Sequence, residues 1–305
     1  MKKVFAINGG AGRVICSLPA LEKHYKKHGP NFYILAESGL EFFLGNNNLQ
    51  SLAFDINQKG LFEDIIKPNL LLSPEPYREN GYYNQRRSLA ESFDYLINET
   101  EDHTDLEKPK IYLNKQEEIT ALDILSKVEK ERGKKKVIVI QPFGRSSSVN
   151  FNTVIDPSSR SLNKESYLKI VKNLEKDYNL IYFGEHQIEE DKTTMKIQAN
   201  LRIWSAVIDV CNYFIGCDSV GQHMAYALDK PGTVILGSTI EKNITYEKQF
   251  QILRKPNAEI VYSPIRIAGF DCELADRYND ACMDFTDKEL NELIDKIRSD
   301  IKKKT

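Results

Sequence analysis

Residues 213–237 contain the feature that most constrains the fold, an apolar run that breaks into a polar turn, a helical pattern and a second apolar run. The first run, Tyr213-Phe214-Ile215-Gly216, leads into Cys217-Asp218-Ser219-Val220-Gly221. The helical pattern stops before Pro231, and Thr233-Val234-Ile235-Leu236 reads as the next strand. This order predicts a β-turn-α-turn-β unit, with the turn at the carboxyl end of its strand.

The turn itself is suited to an anion. The first amides of a helix have no acceptor within the helix, and Ser219 stands where an N-cap is preferred. We therefore expect the backbone of residues 218–221 to cradle a phosphate group. An ordinary α/β connection without a ligand is the alternative.

Strands and helices alternate in the same way in two parts of the chain. Near the start, residues 3–8 form an apolar run, followed by Gly9-Gly10-Ala11-Gly12 and a helical pattern with Val14, Leu18 and Leu21. Further strand candidates are residues 31–36 and 51–56, on either side of a helical stretch at 40–44. The pattern restarts with a strand at 136–141, a helix at 164–176, a strand at 179–183 and a helix at 201–211. These elements predict an α/β protein with a parallel sheet in each half.

The predicted halves are residues 1–115 and 116–305, each a Rossmann-like domain. A charged helix at 117–136 is predicted to bridge them, with Ile119, Leu122, Leu125 and Val128 on one face. The chain's 305 residues agree with two domains of ordinary size.

Composition excludes few functions. The 42 Lys and Arg against 44 Asp and Glu do not indicate a nucleic-acid binder, although a local basic groove stays possible. We expect a cytoplasmic protein without a signal peptide or membrane span, with its cysteines reduced. Cys272 and Cys282 are the one pair suited to a clip or metal site, and zinc is disfavoured because a second Cys or His pair is missing. The remaining cysteines are Cys16, Cys211 and Cys217.

Several motifs together resemble glycosyltransferase family 9, the ADP-heptose:lipopolysaccharide heptosyltransferases. Residues 7–21 are similar to the family's opening strand, small-residue turn and Pro-Ala-Leu. Residues 216–231 resemble its Gly-Asn-Asp-Thr-Gly-Pro-x-His signature and the Ala-Ala-Leu-Gly-Lys-Pro that follows. Three shorter matches are Gln141-Pro142-Phe143-Gly144 for His-Pro-Gly, Arg160-Ser161-Leu162-Asn163 for Lys-Arg-Trp-Pro, and Cys282-Met283-Asp284-Phe285 for Cys-Met-x-x-Ile. The resemblance to the family is weakest over residues 61–107.

The resemblance implies a GT-B fold, with two facing Rossmann-like domains that bind the acceptor and the nucleotide sugar. It implies that the donor diphosphate lies against Asp218, Ser219, Val220 and Gly221, whose amides satisfy phosphate oxygens without a metal or other cofactor. Arg160, or failing it Arg145, would neutralise the leaving diphosphate. Other donor-side candidates are Gly144, His223 and, for the ribose hydroxyls, Glu185, Glu189 and Glu190. The alternative for His223 is a packed or capping histidine, and the alternative for the three glutamates is that they are merely solvated.

One residue departs from the family pattern. Where the family carries an aspartate thought to act as general base, this chain has Arg13, which cannot accept a proton at physiological pH. Glu37, at the end of the second strand, is the predicted replacement, and Asp102 and His103 come second. We expect Arg13 either to recognise an anionic group or to swing into solvent. The acceptor-side turn comprises Gly9, Gly10, Ala11 and Gly12.

The sequence thus predicts an inverting, metal-independent glycosyltransferase. Its donor would be a nucleotide diphosphate sugar and its acceptor a hydroxyl of a glycan or lipopolysaccharide core. Transfer to a modified nucleic-acid base and a catalytically silent sugar-nucleotide binder stay open as alternatives. A dinucleotide-dependent oxidoreductase is disfavoured, because the first turn lacks the G-x-G-x-x-G spacing and Asp55 is a lone acid.

Overall fold

The computed structural model describes residues 1–150, 153–156, 158–186, 188–255 and 280–305. The chain divides into two compact units, one formed by Met1–Asn114 and the other beginning at Lys115. Of the two cysteines that the sequence leaves as candidates for a clip or metal site, Cys272 lies outside the described residues. Within those residues, no helix is both long and apolar enough to cross a bilayer.

Unit 1 contains a parallel sheet whose described strands follow the order β3-β2-β1-β4. The central strand β1 pairs with β2 from Lys3 opposite Phe32 to Ile7 opposite Ala36, and with β4 on its other side. The strands are β1 Lys3–Ile7, β2 Phe32–Ala36, β3 Ala53–Asp55 and β4 Leu70–Leu72; the helices are α1 Ala11–His28, α2 Asn80–Tyr83 and α3 Leu89–Asn98. The predicted helical stretch near residue 40 is a single 3-10 turn, Leu40–Phe43.

The long helix α1 follows β1 and covers the sheet. Its Val14, Leu18 and Leu21 are fully buried, as the helical spacing predicted. Helix α3 packs against α1 and begins with a capping box, in which Ser88 and Glu91 each bond the other's backbone amide.

Unit 2 contains a larger parallel sheet in which the described strands follow the order β12-β11-β10-β5-β8-β9. The two middle strands, β10 and β5, pair with Gly216 opposite Gln141, so the turns after them lie side by side. The strands are β5 Lys136–Gln141, β8 Tyr178–Tyr182, β9 Met195–Lys196, β10 Tyr213–Gly216, β11 Gly232–Leu236 and β12 Phe250–Arg254, with a separate antiparallel pair β6 Ser148–Asn150 and β7 Thr153–Ile155. The helices are α4 Lys115–Arg132, α5 Lys164–Leu174, α6 Leu201–Val210, α7 Val220–Ala227, α8 Glu241–Ile244 and α9 Asp287–Lys304.

Helix α4 buries a different face from the predicted one. Ile119 and Leu122 are 51% and 56% exposed, whereas Glu117, Ala121 and Val128 are buried. Both carboxylate oxygens of Glu117 accept bonds from Arg202 of α6, at 2.8 and 2.6 Å. The predicted face is therefore wrong for Ile119 and Leu122, because this ion pair and Ala121 set the packing of α4 on α6.

Candidate functional site

The turn between β10 and α7 has one amide fewer to offer than the sequence predicted. Ser219 occupies the N-cap position, but its hydroxyl makes no capping hydrogen bond. The N–H of Gly221 donates to Oε1 of Gln141, the last residue of β5, at 2.8 Å. The amides of Ser219 and Val220 stand at positions that have no acceptor within a helix. These two remain candidates for an anion, and the predicted contact of the Asp218 amide with phosphate stays a prediction.

Two glycines line this turn for different reasons. A Cβ on Gly221 would lie 2.4 Å from Oε1 of Gln141 and 2.8 Å from the Phe214 ring, so that position is closely packed. A Cβ on Gly144 would approach its neighbours, among them the carbonyl oxygen of Asp218, no closer than 3.7 Å. Gly144 therefore lies beside the turn with ordinary space around it.

Arg160 lies beside Asp218 of the turn, and its side chain is 23% exposed. Its Nε donates to Oγ of Ser158 at 2.8 Å, its Nη2 donates to Oγ of Ser146 at 3.2 Å, and its Nη1 is 3.8 Å from Oδ2 of Asp218. Burial raises the pKa of Asp218, and the charge of Arg160 partly offsets that rise. Of the predicted donor residues, Arg160, Gly144 and Asp218 are thus brought together.

Histidine 223 is packed in the first turns of α7 rather than exposed. His223 is 5% exposed, and its Nδ1 is 2.8 Å from the Tyr246 hydroxyl. Burial lowers the pKa of His223 to about 4, and the charge of Arg160 acts in the same direction. The histidine is therefore neutral at pH 7, and its predicted contact with phosphate stays a prediction.

The remaining donor-side candidates lie on the surface. Arg145, Glu185 and Glu189 are exposed. Glu190 forms an ion pair with Lys164 at 2.8 Å. The ribose-binding role that the sequence assigned to these acids stays a prediction.

In unit 1, a carboxylate lies on the turn between β1 and α1. Gly9 has a φ of +83°, Gly10 is the N-cap of α1, and Ala11 and Gly12 begin the helix. Oε2 of the exposed Glu37 accepts the N–H of Gly9 at 2.6 Å. The next residue, Ser38, donates its hydroxyl to the Gly9 carbonyl at 2.6 Å. The loop after β2 is thereby fastened to the glycine turn.

The guanidinium of Arg13 is buried within unit 1 and faces a carboxylate that the sequence analysis missed. Arg13 is 5% exposed, and its Nη1 and Nη2 lie 3.2 and 3.1 Å from the two carboxylate oxygens of Glu75. The guanidinium also lies over the Tyr77 ring, 4.9 Å from its centroid. The alternative in which Arg13 swings into solvent is therefore wrong, and the anion beside it is Glu75.

The second-choice bases are both engaged elsewhere in unit 1. Nδ1 of His103 is 2.7 Å from the fully buried carboxylate of Asp94. Oδ1 of Asp102 accepts the Thr104 amide and hydroxyl, at 3.0 and 2.7 Å. Glu37 accepts one described hydrogen bond, from the Gly9 amide, whereas Asp102 accepts two. Across the described ranges, no group of three or more His, Cys, Asp or Glu side chains is placed to hold a metal.

Comparison with known proteins identifies the fold. No family model and no curated protein matches the chain. The structure of Escherichia coli ADP-heptose lipopolysaccharide heptosyltransferase II matches at 12% identity with a TM-score of 0.64, covering 99% of each chain. A glycosyltransferase family 9 protein from Veillonella parvula matches at 14% identity and a TM-score of 0.59, covering 83% of this chain and 85% of that one. TibC from enterotoxigenic E. coli, an iron-containing dodecameric glycosyltransferase, matches at 12% identity and a TM-score of 0.60, covering 100% of this chain and 80% of its own. These likenesses confirm the predicted α/β fold, that of the family 9 heptosyltransferases.

Proposed function

We propose that this protein is a glycosyltransferase that moves a sugar from a nucleotide diphosphate sugar to a hydroxyl group. One observation carries the proposal: the turn at residues 218–221 combines the first amides of α7 with the guanidinium of Arg160, which lies 3.8 Å from the Asp218 carboxylate. Backbone amides and a fixed cation are the groups that stabilise a departing diphosphate. The shared fold with heptosyltransferases supports the same conclusion.

In the proposed reaction, the diphosphate binds to the amides of Ser219 and Val220 and leaves as Arg160 neutralises its growing charge. Glu37 takes the proton of the acceptor hydroxyl, which attacks the opposite face of the sugar and inverts the anomeric carbon. One carboxylate oxygen of Glu37 is held by the Gly9 amide. The other oxygen is the one that accepts the proton in this proposal.

The amides of Ser219 and Val220 and the guanidinium of Arg160 make a metal unnecessary for departure of the diphosphate. Transfer should therefore persist in excess EDTA. Two matched structures are described as an ADP-heptose lipopolysaccharide heptosyltransferase and as TibC with ADP-D-β-D-heptose. ADP-heptose is therefore the first donor to test, and a lipopolysaccharide core the first acceptor.

The proposed location is the cytoplasm. The buried thiols Cys16, Cys211 and Cys217 fit that reducing compartment.

A second candidate, a sugar-nucleotide binder without transferase activity, is favoured by the lack of a carboxylate at position 13. A panel of ADP-, UDP- and GDP-sugars separates the two. Binding accompanied by donor hydrolysis or transfer supports the enzyme. Tight binding without turnover, with every acceptor tried, supports the binder, and failure to bind any nucleotide diphosphate contradicts both.

A further inference from the structure

The carboxylate of Asp156, just after β7, lies at the centre of a hydrogen-bond network beside the candidate donor turn. Its Oδ1 accepts the amide of Ser158 at 2.8 Å and the hydroxyl of Ser146 at 2.9 Å, and the Ser158 hydroxyl also bonds it. Its Oδ2 accepts the amide and hydroxyl of Ser161, at 3.0 and 2.5 Å. The network joins the loop after β7 to the loop after β5.

Asp156 is held in its ionised form. Burial alone would raise the pKa of Asp156, but the hydroxyls of Ser158 and Ser161 and the charge of Arg160 together lower it. An ionised carboxylate accepts hydrogen bonds and donates none. The hydroxyls of Ser146 and Ser158 also lie 3.0 Å from each other, but the ionised carboxylate is the stronger acceptor, so both hydroxyl hydrogens point toward Asp156.

This orientation determines what the two serines present to Arg160. Because their hydrogens point to Asp156, their lone pairs face the guanidinium, which donates to both oxygens at 2.8 and 3.2 Å. The Ser161 hydroxyl accepts the Gly144 amide at 2.8 Å in the same manner. Asp156 thus orders Arg160 and Gly144 through serine hydroxyls.

We propose that Asp156 is a positioning residue that fixes the guanidinium of Arg160, through Ser146 and Ser158, in front of the donor diphosphate. The inference rests on the proposed function for the identity of that ligand. A carboxylate beside a diphosphate repels it, so Asp156 contributes through the groups that it orders and not through direct contact with the ligand. A cation held in place before the reaction stabilises the leaving group without reorganisation when the bond breaks.

The experiment compares Asp156→Asn, Arg160→Ala and the double variant in transfer from ADP-heptose. Asp156→Asn keeps the size of the side chain but replaces one acceptor oxygen by a donor. We expect kcat to fall about 10- to 100-fold, with a smaller change in KM for the donor. In the Arg160→Ala background the same substitution should have little effect, because the residue it positions is gone. Asp177→Asn, on an exposed carboxylate 3.9 Å from Arg298, is the matched control and should leave kcat unchanged.

A second measurement does not depend on turnover. In ¹⁵N-labelled protein, the Nε–H signal of Arg160 should be protected from exchange in the parent and lose that protection in Asp156→Asn. An unchanged signal, or full additivity of the two substitutions in kcat, overturns the inference. If the signal responds but no nucleotide diphosphate binds the parent, the link from Asp156 to Arg160 stands and the proposed function fails.

Discussion

The two glycine-containing turns, one after β1 and one after β10, use the same backbone device but present opposite charges. In both, a side chain from a neighbouring strand end takes one amide of the turn: Glu37 bonds Gly9 in unit 1, and Gln141 bonds Gly221 in unit 2. In unit 1 the carboxylate of Glu37 is exposed and the guanidinium of Arg13 is buried. In unit 2 the guanidinium of Arg160 is partly exposed and lies 3.8 Å from the buried carboxylate of Asp218.

This difference shows that the glycine pattern sets the turn and that the neighbouring loops set its chemistry. A strand-to-helix turn offers the same partial positive charge in both units. An exposed carboxylate suits removal of a proton, and a partly exposed guanidinium suits binding of an anion. The following predictions test this contrast, beginning with the largest expected effect.

Replacing Arg13 with Asp should unfold or severely destabilise unit 1. The change breaks a buried ion pair and places a second carboxylate next to Glu75, which costs about 3 to 5 kcal/mol or more in the free energy of unfolding. Denaturant unfolding measures the loss. Lys67→Asp is the matched charge reversal, because the Lys67–Glu63 pair is more than 60% exposed and should cost far less.

The double variant Arg13→Asp with Glu75→Arg sharpens this test, because it restores the ion pair with its charges exchanged. It should recover part of the lost stability while placing a carboxylate at the position where family 9 has one. A double variant no more stable than Arg13→Asp alone would contradict the pairing of Arg13 with Glu75.

The contrast between the two turns also explains what could be predicted from sequence. Seven strands, α7 and the glycine turns follow local apolar periodicity and turn chemistry, so they were predicted to within a few residues. The short or less regular strands β4, β6, β7, β9 and β12 were missed. Glu75 was missed because its pairing with Arg13 links residues 62 positions apart, in a stretch without a recognisable motif. The bond from Gln141 to Gly221 depends on β5 lying beside β10, which follows from the sheet order and not from the sequence of either strand.

Replacing Glu37 with Gln should reduce transfer by about 100- to 10,000-fold, because positioned proton transfer contributes an effect of that size. Donor affinity should change little, since the substitution lies in unit 1. Glu63→Gln, on another exposed carboxylate of the same unit, is the control for a nonspecific loss of charge. Steady-state kinetics that give kcat and the donor KM separately test this. If Glu37→Gln keeps the kcat of the parent, Glu37 is not the general base.

Replacing Arg160 with Ala should raise the barrier to transfer by about 2 to 4 kcal/mol, more than it weakens binding of the intact donor. The reason is that the interaction strengthens as negative charge develops on the leaving diphosphate. Arg145→Ala is the comparison, since Arg145 is exposed. A larger loss of kcat in Arg145→Ala would transfer the role to that residue.

The buried histidine of α7 should make unit 2 sensitive to acid. The pKa of His223 is lowered from 6.5 to about 4, so below pH 6.5 the unfolded chain binds a proton that the folded chain does not. The free energy of unfolding should therefore fall as the pH drops from 6.5 through about 4, by about 3 kcal/mol. Unfolding curves of His223→Gln should lack this part of the pH dependence. If the free energy of unfolding depends on pH identically in the parent and in His223→Gln, His223 is not the source of the acid sensitivity.

Replacing Gly221 with Ala should cost the least, about 1 to 3 kcal/mol of stability, because the added Cβ forces Gln141 or Phe214 to move. Gly144→Ala, where the nearest contact would be 3.7 Å, should be nearly neutral in thermal unfolding. If Gln141 is what crowds the position, shortening it in a Gly221→Ala, Gln141→Ser variant should recover part of the loss. Without Gln141, the backbone amide at position 221 should also become available and strengthen binding of ADP. No recovery of stability would show that Phe214 alone sets the limit, and unchanged ADP affinity would show that this amide lies outside the anion site.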